Sequence, residues 1–252
     1  MDRQTHGKKR RVVIFLQDLI FWLSYFWFGL ALLVPLSFLI LAVLAPAFLR
    51  DGNQDGAEAI YAFMRIQNHQ LPERSYFILG TDGGINSFER EELLSLGAEP
   101  ERWEAYTGNR TIGFKTALNQ RMFAIMAAAL FGALLWLGSR GRLRISGRIL
   151  LLLFLPLLLD GVTHMITDFT AIEWRLDNQW AHGVWGANQG EQFYSGTTAG
   201  TLNWWLRTAT GLVFGLALSV FLLNQLDQYF GRLRTILSAR RKNRKISPHP
   251  PG

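Results

Sequence analysis

The stretch at residues 21–48, FWLSYFWFGLALLVPLSFLILAVLAPAF, contains no charged side chain. A helix crosses a bilayer with about 20 mostly apolar residues, because each residue adds about 1.5 Å. Three more apolar segments approach or reach this length, at 123–137, 149–166 and 202–223. The segment at 123–137 spans fully only with residues 116–122, which would place Lys115 and Arg121 at its outer end, where long cations reach the head groups. The chain of 252 residues is therefore predicted to be an all-α integral membrane protein with four transmembrane helices.

The first apolar block also has features of a signal peptide, since KKRR at 8–11 precedes it and APA at 45–47 resembles a cleavage site. The apolar region of a signal peptide is about 7–15 residues long. The block in this chain is longer, which favours a membrane anchor that is not removed.

The net charge is +7, and the basic residues cluster before the first span, between the second and third, and after the fourth. Basic loops stay on the cytoplasmic side, so we expect both termini to be cytoplasmic. The clusters favour anionic lipids at that face as a partner, and without interleaved aromatic residues they do not indicate nucleic acid. The basic residues of these three clusters are Lys8, Lys9, Arg10, Arg11, Arg140, Arg142, Arg144, Arg148, Arg232, Arg234, Arg240, Arg241, Lys242, Arg244 and Lys245.

These patterns divide the chain into nine predicted parts. We expect a basic cytoplasmic head and interfacial segment at 1–20, transmembrane helices at 21–48, 116–138, 149–167 and 202–224, extracytoplasmic loops at 49–115 and 168–201, a basic cytoplasmic loop at 139–148 and a basic cytoplasmic tail at 225–252.

The loop at 49–115 is long enough to need structure of its own. GAEAIYAFMRIQ has the apolar spacing of a short amphipathic helix. NSFEREELLSLG begins with Asn86 three residues before Glu89, as in a capping box, and Pro100 suits the start of another helix. The sequence predicts three short helices that cap the outer side.

The loop at 168–201 is rich in aromatic residues and glycine. Tryptophan prefers the head-group layer, which favours an interfacial cap, and an aromatic platform for a carbohydrate or a quinone is the alternative. The tryptophans are Trp174, Trp180 and Trp185, followed by Trp204 and Trp205 at the start of the last span.

Charged side chains inside a span are costly. Asp160 and His164 lie four residues apart in the third span and share a face. In the fourth span, Asn203 and Arg207 begin a stripe that continues with small residues, Gly211 and Gly215, at which a neighbouring helix can pack closely. We expect Asp160 and Arg207 to interact directly or through water. Asp160 is then either a structural ion-pair partner or a functional carboxylate.

Four segments, NHQLPERSYF, GNRTIGF, LPLLLDGVTH and LNWWLRTATGLVFG, resemble in this order the motifs of the small bacterial and archaeal membrane proteins known as domain of unknown function 2085. The resemblance implies a bacterial plasma-membrane location. The matching positions are His69, Gln70, Arg74, Ser75, Arg110, Gly113, Pro156, Asp160, Gly161, Asn203, Arg207, Gly211 and Gly215.

The chain departs from that family at its cysteines. Asn68, Gly108 and Thr111 stand at the positions where the resemblance implies thiols, and His164 stands where it often implies glutamine. The chain contains no cysteine, which excludes disulfides, thiolate nucleophiles and cysteine metal sites. It would therefore be a divergent member.

We expect a polar pocket in the outer leaflet, held by hydrogen bonds and suited to an anion such as a lipid phosphate or a carboxylate. No catalytic residue, metal or cofactor is predicted. The candidate pocket residues are His69, Gln70, Arg74, Arg110, Asp160, His164, Asn203 and Arg207.

Three functional classes stay open on the sequence. The first is a non-catalytic accessory or assembly subunit of a larger membrane complex, with other membrane subunits as partners. The second is a binder of a lipid, anion or quinone-type ligand, or a membrane enzyme, that uses the outer pocket. The third is a small transporter, although the chain lacks the repeated halves of most carriers.

Overall fold

The computed structural model describes residues 2–66, 69–170, 175 and 177–246. The fold is mostly helical, and four helices are long and apolar enough to cross a membrane, at Arg11–Arg50, Gln120–Gly138, Gly147–Thr167 and Leu202–Lys242. The chain is thus a multi-pass membrane protein, as predicted. The predictions that concern Gln67, Asn68, Trp174 and the end of the tail at 247–252 fall outside the described residues.

The four long helices are α1 (Asp2–Arg50), α4 (Gln120–Gly138), α5 (Gly147–Phe169) and α8 (Leu202–Ile246). Asn119 caps α4 by accepting a hydrogen bond from the backbone N–H of Met122 at 2.8 Å, and Ser146 caps α5 in the same way through Ile149. The segment predicted to precede the first span belongs to the same helix, because α1 continues without a break from Asp2 and is about 70 Å long. Its location at the membrane interface stays a prediction.

Close packing between α4 and α8 depends on glycine. A Cβ atom at Gly215 would lie 2.3 Å from the backbone oxygen of Ile125, and one at Gly211 would lie 2.9 Å from the backbone oxygen of Arg121. The small-residue stripe on α8 therefore lets α4 approach its backbone. By contrast, α5 packs mainly on α8, and much of its surface is exposed.

An aromatic cluster marks the end of the helix bundle away from the two large loops. The Trp136 ring near the end of α4 lies 5.8 Å from Trp27 and 5.6 Å from Phe28, and Trp27 stacks on Phe230 at 5.9 Å. Trp136 also donates a hydrogen bond to Asn224 at 2.8 Å. These contacts place Trp27 and Phe230 level with the end of α4.

The two large loops meet at the other end of the bundle, where the described residues of 51–119 and 170–201 form what we call the cap. The first loop contains α2 (Gln54–Arg65), β1 (Ser75–Ile78), α3 (Arg90–Ser95), β2 (Gly108–Asn109) and β3 (Gly113–Asn119). Short 3-10 helices lie at Pro72–Arg74 and Pro100–Ala105. The second loop contains α6 (His182–Trp185) and α7 (Glu191–Ser195), with 3-10 helices at Gln179–Ala181 and Ala187–Gln189.

The three short helices predicted in the first loop are present, at Gln54–Arg65, Arg90–Ser95 and Pro100–Ala105. An antiparallel sheet with strand order β1-β3-β2, which was not predicted, forms the centre of this loop. Residues 116–119, predicted as the start of the second span, are the end of β3. A buried strand and the start of a buried helix are both continuous apolar runs, so their sequences look alike. Gly113 fits this sheet because its φ is +95° and a Cβ atom there would lie 2.7 Å from the oxygen of Ile78.

Lys115 does not extend to the head groups as predicted, because it lies on β3 and its relative exposure is 0%. Its Nζ donates to the backbone oxygens of Gln70 at 2.9 Å and Glu104 at 2.7 Å. The hydroxyl of Tyr61 on α2 donates to the Lys115 backbone oxygen. Lys115 thus joins three segments of the cap core.

The capping box predicted at Asn86 and Glu89 is also wrong. Glu89 precedes α3 without a side-chain capping bond. Its carboxylate instead accepts four hydrogen bonds of 2.7–3.0 Å from the backbone and side chains of Thr197 and Thr198. The second loop is therefore bonded to the first.

Candidate functional site

Asp160 is the buried carboxylate at the centre of the candidate site. It lies on α5 with 6% exposure. One carboxylate oxygen accepts a hydrogen bond from Arg121 at 2.5 Å, and the other accepts one from Arg175 at 2.6 Å. Its cationic partners therefore come from α4 and from the second loop. Arg207 makes no direct ion pair with Asp160 among the described residues and bonds to Gln120 and Thr197 instead. An interaction through water stays a prediction.

His164 lies one turn beyond Asp160 on α5. Its Nε2 is 3.1 Å from a terminal nitrogen of Arg175 and 3.8 Å from the Asp160 carboxylate. A guanidinium group can only donate hydrogen bonds, so Nε2 accepts, and the ring is neutral with its proton on Nδ1. His164 thus helps to position Arg175 and keeps one N–H donor.

Arg175 is fixed through its backbone by two buried asparagines. Its carbonyl oxygen accepts hydrogen bonds from Asn203 at 3.1 Å and from Asn178 at 3.3 Å. Burial lowers the pKa of Arg175, the Asp160 carboxylate opposes this effect, and the positive charges of Arg121 and Arg74 lower the pKa further. Several cations are therefore crowded around one acid.

Arg207 on α8 lies behind this group with 2% exposure. One terminal nitrogen donates to the side-chain oxygen of Gln120 at 3.0 Å and to the backbone oxygen of Thr197 at 2.6 Å. Its Nε and its other terminal nitrogen have no acceptor among the described residues. The same is true of Nε in Arg121, Nε in Arg175 and Nε2 in Gln120. Donors thus outnumber acceptors in this cluster.

A cavity of about 540 Å³ lies where the cap meets α4 and α5. Three arginines, two glutamates and two histidines contribute to its wall, together with apolar residues of α5. The lining residues are His69, Leu71, Glu73, Arg74, Arg90, Glu104, Asn119, Arg121, Gly161, His164, Met165 and Phe169.

The two glutamates in the wall differ in their contacts. Glu73 is buried and accepts a hydrogen bond from the indole of Trp103 at 2.7 Å. Glu104 contributes its backbone oxygen to Lys115 at 2.7 Å. Arg90 lies over the Trp103 ring at 4.4 Å. The cavity therefore has acid and base at its rim, and its inner wall is cationic at Arg121.

The predicted pocket residues are distributed over four places. His69, Arg74 and His164 line the cavity, while Asp160 contacts the lining residue Arg121. Gln70 lies in the cap core, where it donates to the backbone oxygens of Tyr61 and Ala117.

Asn203 and Arg207 lie in the buried layer behind the cavity, in contact with the second loop. Arg110 lies away from the cavity at the turn between β2 and β3, and it donates to the backbone oxygen of Arg50 at 3.3 Å. The prediction that Arg110 lines the pocket is therefore wrong.

Sequence reasoning missed Arg90, Arg121 and Arg175. A signal existed for Arg121, because a carboxylate inside a span needs a cation and Arg121 opens the neighbouring span. No comparable signal marked Arg175, since it stands in an irregular loop. Arg90 looked like an ordinary charge in the first turn of a short helix.

Among the described residues, no three His, Asp or Glu side chains are grouped as a metal site requires. The chemistry of the wall suits a group that accepts hydrogen bonds and carries negative charge, because guanidinium groups pair with phosphate and carboxylate oxygens.

Comparisons of the chain with protein-family models, with curated proteins and with solved structures found no match. The resemblance described from the sequence motifs stays a prediction.

Proposed function

We propose that this chain is a membrane protein that binds an anionic ligand in the cavity between the cap and α5. The ligand's acidic group would lie against Arg121, with Arg74, Arg90 and the N–H group of His164 as further donors. This role is a ligand-binding one and involves no chemical step by the protein.

The excess of buried donors supports this proposal most directly. A buried donor that lacks an acceptor costs about 1–3 kcal/mol. Five such donor atoms lie on Arg121, Arg175, Arg207 and Gln120. Of these four residues Arg121 lines the cavity. Phosphate and carboxylate groups bring acceptors without donors, so an anion beside Arg121 would add acceptors at the wall and compensate the positive charge behind it.

Isothermal titration calorimetry with glycerol 3-phosphate tests the proposal. The protein in neutral detergent should bind the probe, and Arg90→Gln should weaken binding at least about tenfold, since a charged hydrogen bond contributes about 1.5–3 kcal/mol. Arg90 is exposed and lies at the cavity rim, so its loss should not unfold the chain.

Arg110→Gln is the matched control, because Arg110 is also an exposed arginine of the cap but lies outside the cavity. No heat of binding in the wild type, or equal affinity in all three proteins, would contradict the proposal.

We also propose that the cap faces outward and both termini face the cytoplasm of a bacterial plasma membrane. Exposed basic residues at the end opposite the cap support this orientation through the positive-inside rule. They are Arg140, Arg142 and Arg144 in the turn between α4 and α5, and Arg148 in the first turn of α5. Anionic lipid head groups at that face would be partners. Cysteine labelling of single-cysteine variants in intact cells would test the orientation.

A second candidate function is that of an accessory subunit, and the α1 extension favours it. Trp27 contacts Trp136 near the end of α4, so residues 11–26 of α1 extend past the end of α4. This extension is about 24 Å of helix. This extension exposes Phe15 and Trp22 at 66% and 54%. Exposed apolar patches are typical of contacts with other proteins or with a membrane.

Co-purification in mild detergent tests this second function. A partner subunit should be lost in Phe15→Glu with Trp22→Glu, while Arg90→Gln should retain it. A wild-type chain that always purifies alone would contradict the subunit function and leave anion binding unaffected.

A further inference from the structure

An apolar groove continues from the cavity along the outer face of α5. It is lined by Phe154, Leu157, Leu158, Gly161, Val162 and Met165, which lie on one face of the helix. The groove has a volume of about 210 Å³. Gly161 and Met165 line both the groove and the cavity, so the polar space and the apolar space adjoin each other.

Gly161 shapes the junction between the two spaces. A Cβ atom at this position would lie 3.3 Å from a terminal nitrogen of Arg121. The missing side chain therefore lets the guanidinium group approach the helix and leaves a notch between Leu158 and Val162. A cation thus stands where the apolar groove begins.

The length of the groove matches one leaflet of a bilayer. From Phe154 to Met165 the helix rises about 16 Å, at 1.5 Å per residue. This is roughly half of the ~30 Å hydrocarbon thickness of a membrane. Leu158, Val162 and Met165 are 43%, 37% and 53% exposed, so this face is open to an acyl chain. Phe169 is 84% exposed at the end of α5 and would lie near the head groups.

We propose that the ligand of the cavity is an anionic lipid of the cap-side leaflet, with its acidic head group beside Arg121 and one acyl chain in the α5 groove. This inference rests on the proposed anion binding and adds the hydrocarbon chain as a second determinant. The positive charge of Arg121 is complementary to an acidic head group. Because Gly161 and Met165 line both the cavity and the groove, one molecule with a head group and an acyl chain can occupy both.

A second apolar groove provides an alternative path for the chain, on the side of α5 that faces α8. Pro156, Leu206 and Thr210 are part of its wall, and Asp160 and Arg175 contribute to it as well. The ion pairs of Asp160 thus separate this groove from the cavity, because Arg121 lies on the cavity side. The groove that shares its wall with the cavity is therefore the better path for a chain whose head group contacts Arg121.

The test uses the full chain in phosphatidylcholine nanodiscs with palmitoyl lysophosphatidate as the probe. Thermal unfolding followed by circular dichroism should show a higher midpoint as the probe is added. The same acyl chain on an uncharged monoacylglycerol should give no shift. Glycerol 3-phosphate, which has the head group alone, should give a smaller shift.

Val162→Trp and Leu158→Trp fill the groove with a side chain that is compatible with lipid. Either variant should reduce the lysophosphatidate shift to less than half and leave the glycerol 3-phosphate shift unchanged. Leu151→Trp is the control, because Leu151 is an exposed residue of the same helix outside the groove.

A full lysophosphatidate shift in both groove variants would overturn the lipid proposal, as would a loss of shift in Leu206→Trp alone. A change of oligomeric state in the groove variants would also overturn it, since a second copy would then occupy this face. If glycerol 3-phosphate shifts the wild type, anion binding survives any of these outcomes. If neither probe shifts the wild type, anion binding itself fails.

Discussion

This protein buries cations at two places, and the two differ in how many of the cations' hydrogen-bond donors have an acceptor. Lys115 in the cap core is fully buried, and its Nζ donates to two backbone oxygens. The arginine cluster around Asp160 is also buried, but four donor atoms of its arginines, and one of the neighbouring Gln120, have no acceptor among the described residues. Lys115 therefore joins segments of the cap core, whereas the arginine cluster has the surplus of donors on which the proposed anion binding rests.

The largest expected effect comes from the acid that holds the arginine cluster together. Asp160→Asn leaves Arg121 and Arg175 without a counter-charge, and removal of one partner from a buried ion pair costs about 3–5 kcal/mol. We expect a loss of that order in the free energy of unfolding, measured by denaturant titration in micelles.

Asp227→Asn is the control for this substitution, because the Asp227 carboxylate is half exposed and 3.9 Å from Arg234. It should change the free energy of unfolding by less than about 1 kcal/mol. Equal stability of the two variants would show that Asp160 does not compensate the cluster.

The next effect is the pH dependence of cap stability. Burial lowers the pKa of Lys115 to about 7, against about 10.4 for an unfolded lysine. Between these values the unfolded chain binds more protons than the folded chain, so stability rises with pH by up to about 1.4 kcal/mol per unit. Well below pH 7, Lys115 is protonated in both the folded and the unfolded chain, so its contribution to stability no longer changes with pH.

Hydrogen exchange of the β3 amides at pH 7 and pH 9, corrected for the intrinsic exchange rate, measures this effect. The wild type should be more protected at pH 9, by about 3 kcal/mol at most. Lys115→Met, which cannot titrate, should show no such difference between the two pH values. A wild-type cap with the same protection at both would mean that Lys115 stays charged, and the contrast with the arginines would be lost.

The smallest expected effect concerns Arg207. Replacement of buried ionic groups by apolar side chains of similar volume is often neutral when no partner charge is left uncompensated. Because two nitrogens of Arg207 lack acceptors and two contacts would be lost, Arg207→Met should change the free energy of unfolding by about 1 kcal/mol or less.

The same Arg207→Met variant should bind glycerol 3-phosphate more weakly, because it removes positive charge behind the cavity. Calorimetry and denaturant titration on one preparation measure both quantities. A loss of stability as large as that of Asp160→Asn, with unchanged binding, would make Arg207 a purely structural residue.

The sequence predicted the parts of the fold that depend on apolar length. The four spans follow from bilayer thickness, and the Gly211 and Gly215 stripe marks a close helix contact because small side chains permit one. The sheet could not be predicted in the same way, since β3 is buried on both faces and shows no alternation.

The candidate site was predicted in part for a related reason. Asp160 and His164 were found because polar groups inside a span are rare. Their partner Arg175 could not be assigned, because its position depends on long-range bonds from Asn178 and Asn203 to an irregular segment. Arg110 was misplaced since a sequence motif carries no information on which side of a sheet a turn lies.

The most direct test is a structure of the protein determined with tungstate, whose oxygens resemble those of phosphate and whose metal scatters strongly. We predict an anomalous peak in the cavity within hydrogen-bond distance of the Arg121 guanidinium group. Tungstate that binds only at exposed arginines such as Arg110, with none in the cavity, would contradict the account.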